Sequence, residues 1–122
     1  MSGTSQVHGA RLLAAAAMLT SLASLLSPRA EAASFDCRRA TLPAERTICS
    51  DANLGRLDES TAGTYFQIVG GGAPAATVAR VKQMQSRFVA RRNACRADID
   101  CLVDAYTDQM MFLRNEKSNL GL

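Results

Sequence analysis

Four cysteines do most to limit how this chain can fold. Cys37, Cys49, Cys95 and Cys101 all lie behind an apolar stretch near the N-terminus, and no histidine lies among or after them. An even number of cysteines in a short chain reads as a pair of cross-links formed in an oxidising compartment. The spacings are Cys37-x11-Cys49 and Cys95-x5-Cys101. Neither is the Cys-x-x-Cys of a redox or zinc site, so all four are expected to be structural. Four cysteines allow three connectivities. Local pairing, Cys37 with Cys49 and Cys95 with Cys101, is favoured. It would tie an N-terminal strap to a short helix and pin the corner between two long ones. Pairings that bridge the strap to that corner stay open.

The N-terminus supplies a route to such a compartment. Met1 to Arg11 is polar with one fixed positive charge, Arg11, and Leu12 to Leu26 is uncharged and rich in Leu and Ala. Ala30-Glu31-Ala32 then places small residues where a signal peptidase reads them. This is the order of a secretory signal peptide, and the apolar run is short for a membrane span. Residues 1–32 are therefore expected to be cleaved off. Residues 33–122 remain as one domain, exported to the periplasm or the extracellular space. No later run is long and apolar enough to stop transfer, so no stable membrane anchor is expected. Cys37 follows Ser34-Phe35-Asp36 and not a lipobox-like segment.

Export also removes chemistry. Losing Arg11, Arg29 and Glu31 from 14 basic and 11 acidic groups leaves a net charge of +2. Mixed signs at that level give no electrostatic case for nucleic acid. The single histidine, His8, leaves with the leader. No Ser-His-Asp or Cys-His unit and no His-ligated metal can then be built. Paired carboxylates could serve glycoside hydrolysis only across a cleft, some 5–9 Å apart. A small helical domain without Trp offers neither cleft nor sugar platform. The expectation is no enzyme, no cofactor and no metal.

The remaining pattern is helical throughout. Pro43 suits a first helical position and Glu45 the positive end of the dipole, predicting a short helix to about Cys49. Ser50 and Asp51 can cap the next, over about 52–69, with Leu54, Leu57, Thr61, Tyr65 and Ile68 on one stripe. Gly70-Gly71-Gly72-Ala73-Pro74 stops it. A third helix, about 75–94, carries Val78, Val81, Met84, Phe88 and Cys95. A fourth, from Asp98 or Ile99 to about Lys117, carries Ile99, Leu102, Val103, Tyr106, Met110 and Leu113, with a frayed tail behind it. Short links favour antiparallel neighbours. The predicted fold is all-α: a small antiparallel helical hairpin or bundle of three long helices plus a short N-terminal helix, stapled by two disulfides.

Some polar residues interrupt the apolar faces. Gln85 and Arg92 share the arc of Val81 and Phe88, and Asp58 borders the stripe at Leu57. A buried charge needs a partner. Arg92 is expected to pair with Asp58 or Glu45, and Gln85 to satisfy backbone groups at a helix end. Asp98, Asp100, Asp104 and Asp108 gather at the start of the fourth helix as a candidate partner-contact patch. Arg80, Arg87 and Arg91 form a basic row on the third helix, and Met111-Phe112 lie off the fourth helix's core arc.

Ser34-Phe35-Asp36-Cys37, Ala40, Pro43, Glu45, Ile48-Cys49-Ser50, Leu54, Leu57-Asp58 and Tyr65 resemble the first half of the LprI-type lysozyme inhibitor domain family. Gln85-x-x-Phe88-x-x-x-Arg92-x-x-Cys95 and Cys101-Leu102-x-x-Ala105-Tyr106 resemble its second half. Phe88 stands where the family usually has Trp. The resemblance implies a small exported bacterial domain, disulfide-bonded and helical. As function it implies lysozyme inhibition by steric blockage of the cleft. It carries no inhibitory residue onto this chain. The alternative is a cell-envelope interaction module with another partner, built on the basic row and Met111-Phe112.

Overall fold

A computed structural model describes residues 33–122, together with Gly3. The leader read over residues 1–32 otherwise lies outside the described residues. A 3-10 turn, Cys37–Arg39, precedes α1 (Pro43–Ser50), α2 (Ala52–Val69), α3 (Ala75–Ala94) and α4 (Ile99–Asn119). Among the described residues there is no strand.

Short polar side chains set the helix starts. Asp36 begins the 3-10 turn by accepting the Arg38 N–H at 3.0 Å. Pro43 opens α1, and Glu45 reaches back to the N–H groups of Thr41 at 3.0 Å and Leu42 at 3.2 Å. Those donors would otherwise lack an intrahelical partner. Asp51 alone joins α1 to α2. Its N–H donates to the Thr47 carbonyl, and its carboxylate accepts from the Leu54 N–H at 2.9 Å. Asp98 caps α4 in the same way, accepting from the Cys101 N–H at 3.0 Å.

The glycine run separates α2 from α3 for steric reasons. Gly72 has φ 79°, the left-handed region that favours glycine. A Cβ on Gly71 would lie 2.3 Å from the Gln67 carbonyl oxygen, so no side chain fits there.

Cys37 bonds to Cys49 and Cys95 to Cys101, with Cα atoms 5.8 and 5.5 Å apart. Both bonds lie at one end of the molecule. There, Ala44, Ile48, Leu54, Phe88, Cys95, Leu102, Ala105 and Tyr106 form the larger core, with Ala33 and Phe35 of the strap packed against it. The smaller core, Ile68, Val81 and Leu113, sits near the glycine turn under Tyr65, Val69, Phe112 and Leu120. Burying each large side chain contributes about 1.5–3 kcal/mol.

Cross-helix contacts order the long helices. Arg91 meets Asp108 and Arg80 meets Glu116, so α3 and α4 run in opposite order. Asp58 meets Tyr106 and Gln67 meets Lys117, so α2 and α4 run in the same order.

Two expectations need correction. Ile99, placed in the core, is 47% exposed. Tyr106 is level with Asp58, so Ile99, two turns earlier, is level with Asp51, where α2 begins and cover ends. The tail also does not fray at Lys117. α4 continues to Asn119 because Leu120 packs on the smaller core and its N–H bonds to the Glu116 carbonyl at 3.2 Å.

Candidate functional site

Two places gather polar side chains. The first is internal, at the disulfide end. Asp58, on α2, is only 4% exposed. Its Oδ1 accepts the Tyr106 hydroxyl of α4 at 2.6 Å, and its Oδ2 accepts the backbone N–H of Ser34 in the strap. Arg92 of α3 brings Nη1 to 4.0 Å from Oδ1. Arg92 also donates to the Asn93 side-chain oxygen from Nε at 3.1 Å and Nη2 at 2.9 Å. Its guanidinium lies 5.5 Å from the Phe35 ring centre, a cation–π contact. Strap, α2, α3 and α4 thus meet on one carboxylate. Burial, then the bond to Asp58, pushes the Tyr106 hydroxyl far above its ordinary value of 10.0, so it stays a donor.

Of the two partners expected for Arg92, Asp58 is thus the nearer in contact. Glu45 is used mainly by α1. The N–H groups of Leu42 and then Thr41 hold its carboxyl below the ordinary value of 4.5, with Arg92 adding a smaller pull. Gln85 requires a correction. It accepts from the Gln109 side chain at 3.0 Å and does not serve a helix end. Gln109 is itself buried, in the stretch between the two cores, so its amide needs an internal partner.

The second place is the outer surface of α3 and α4. The four acidic residues proposed as one patch have different employments. Asp98 is occupied as the α4 cap. Asp108 takes the Arg91 guanidinium at 2.6 Å. Asp100 and Asp104 are exposed and have no ion-pair partner among the described residues. The basic row is also divided. Arg80 grips Glu116 with Nε at 3.0 Å and Nη2 at 2.6 Å, and Arg91 is held by Asp108. Arg87 is left on the rim of an open groove of about 130 Å³ between α3 and α4, floored by Met84, Phe88 and Ala105. Met111 is 59% exposed, whereas Phe112 packs on the smaller core.

Glu116 was not anticipated. It is buried, and the Arg80 guanidinium holds its carboxyl below the ordinary 4.5. Its signal was available: one turn beyond Leu113, it falls on the apolar arc of α4, as Gln109 does. The role of Tyr106 was masked by its placement in an apolar stripe. The backbone N–H of Ser34 carries no sequence signal at all.

Chemically, the internal cluster binds structure. Each Asp58 oxygen already accepts a hydrogen bond, so the cluster presents no free carboxylate to a substrate. Among the described residues, no group of three or more His, Cys, Asp or Glu is placed to hold a metal ion. No described helix is long and apolar enough to cross a membrane. The two disulfides fit an oxidising location. No family model, curated protein or solved structure matches the chain.

Proposed function

We propose that this chain is an exported, non-catalytic binding protein of the bacterial envelope, and that it inhibits lysozyme by covering the substrate cleft. In this reading residues 1–32 are removed on export. Residues 33–122 act in the periplasm or outside the cell as a disulfide-stapled antiparallel bundle. The LprI-type resemblance motivates the choice of partner. The observation that carries it is the pair of uncommitted carboxylates at one rigid corner. Asp100 and Asp104 project from the first turns of α4, beside exposed Ile99 and next to the Cys95–Cys101 bond. C-type lysozymes are cationic, and complementary charge steers association and sets register. An exposed aliphatic residue beside the acids supplies area that can be buried on contact.

The contact set is accordingly narrower than the four-residue patch. Asp98 is committed to its cap and Asp108 to Arg91, while Asp100 and Asp104 are free to face a partner. The interaction-module alternative has less support, because two of the three arginines it relied on are already paired.

The test is clearing of a peptidoglycan suspension by c-type and g-type lysozymes in the presence of the oxidised, processed protein. Inhibition of the c-type enzyme is expected, weakened at least tenfold by the double change Asp100→Asn and Asp104→Asn and by raised salt. Full lysozyme activity at a large molar excess of the protein refutes the inhibitor reading.

A further inference from the structure

The strap that crosses the disulfide end is held by a charge at its very start. The N–H of Ser34 donates to Asp58 Oδ2, and Ala33 packs half-buried against the larger core. One residue spans at most about 3.6 Å of chain, so the nitrogen of Ala33 lies within roughly 6 Å of that oxygen. In the unprocessed chain this nitrogen is a neutral amide. After cleavage behind Ala32 it becomes an ammonium group.

The surrounding charges are few. Asp58 is faced by Tyr106 from α4, Arg92 from α3 and the Ser34 N–H from the strap. Glu45 of α1 lies within the field of Arg92. Arg92 is the cation paired with Asp58 among the described residues, and it stands at 4.0 Å with Nε and Nη2 turned to Asn93, so the carboxylate is only loosely neutralised. A buried carboxylate gains from every opposite charge within about 4–6 Å.

Resting on the export reading above, we propose that the α-ammonium freed at Ala33 by leader removal completes the ion cluster around Asp58, so that processing itself tightens the docked strap. The uncleaved form has the same side chains and lacks this charge. Leader removal then does more than release the protein: it locks the first residues of the mature chain onto the helices they cross.

An amine with a carboxylate partner titrates above its ordinary 7.7–8.0. Its contribution is whole below about pH 8 and is lost as pH rises through the shifted value. Tyr106 stays protonated throughout this range and does not confuse the reading.

The experiment uses the full-length chain, expressed with export and recovered from the oxidising compartment. Its intact mass reports the first residue. The Ala33 amine is titrated by NMR, and thermal unfolding is compared before and after selective Nα-acetylation. Expected are a mass that begins at Ala33 and an amine titrating about one unit above the ordinary range. A tenfold loss of stability is expected on acetylation at pH 7, seen as a Tm about 5–10 °C lower. That difference vanishes at pH 10. Asp58→Asn abolishes the amine's shift; because loss of Asp58 threatens folding, the acetylated wild-type chain carries the test alone if that variant does not fold. A mass that begins elsewhere refutes the cleavage position and removes the premise. A mass that begins at Ala33, with an unshifted amine or an unchanged Tm on acetylation, refutes the proposal and leaves the export reading standing.

Discussion

Replacing Tyr106 by Phe removes one oxygen from the centre of the molecule and little else. The ring keeps its edge-on contact with Phe88, whose centroid lies 5.0 Å away at an interplanar angle of 66°. What disappears is the 2.6 Å donation to Asp58 Oδ1. A hydrogen bond to a charged group contributes about 1.5–3 kcal/mol, and an abandoned buried acceptor keeps its desolvation cost. Asp58 cannot recover the loss from water at 4% exposure, and Arg92, its nearest substitute on that oxygen, stands at 4.0 Å. The expected destabilisation is therefore about 2 kcal/mol. For a domain of this size that lowers Tm by roughly 8–16 °C. Urea unfolding followed by far-UV circular dichroism reads it as a lower midpoint with an unchanged slope. A double-mutant cycle with Asp58→Asn, where folded, should return most of the loss as coupling. A Tyr106→Phe protein within about 0.5 kcal/mol of wild type would refute the account of Asp58 as the point that joins the helices.

The other predictions concern the staples, one strained residue and acid. Loop-closure entropy assigns about 3 kcal/mol to the Cys37–Cys49 bond and about 2 kcal/mol to Cys95–Cys101, with sequence separations of 12 and 6. Whole domains of this size have roughly 5–14 kcal/mol. Reductant should thus lower Tm sharply, and the Cys37→Ser/Cys49→Ser pair should melt below the Cys95→Ser/Cys101→Ser pair. Arg96 has φ 54°, left-handed without being glycine; Arg96→Gly should raise stability by up to about 1 kcal/mol in a denaturant titration. Glu45 and Glu116 have carboxyls held below the ordinary 4.5, by backbone donors and by Arg80 respectively. Lowered folded-state values stabilise above that pH and are lost beneath it. Midpoints measured from pH 5 to pH 2 should fall, and Glu116→Gln should make the fall shallower.

Much of the fold was legible because helices depend on local rules. Pro43 and Asp51 mark helix starts, and the run from Gly70 to Pro74 marks a stop, through backbone chemistry that reaches no further than four residues. The angular arcs located most of the core for the same reason. Ile99 misled because periodicity reports a face and cannot report where a neighbouring helix ends. Gln85 misled because its partner, Gln109, lies 24 residues away on another helix.

The candidate contact patch was the least legible part. The sequence places one acid just before α4 and three along it but says nothing about which are already engaged. Asp98 is used by its own helix, a local bond that capping rules can suggest. Asp108 is used by Arg91, a bond that requires α3 and α4 to lie side by side. Only that packing separates the committed carboxylates from Asp100 and Asp104.

Read alone, the sequence determined helix starts and stops, the all-α class and the apolar stripes, because each depends on neighbours within a turn or two. It also favoured the local disulfide pairing without excluding the others, since chain spacing limits reach but not contact. The tertiary structure decided which cysteines meet, that Asp58 joins the strap to three helices, and that Arg80 and Glu116 are one unit. These are contacts between residues far apart in the chain. Their geometry exists only once the helices have packed, and the cost of burying a charge is set there, by whatever then lies beside it.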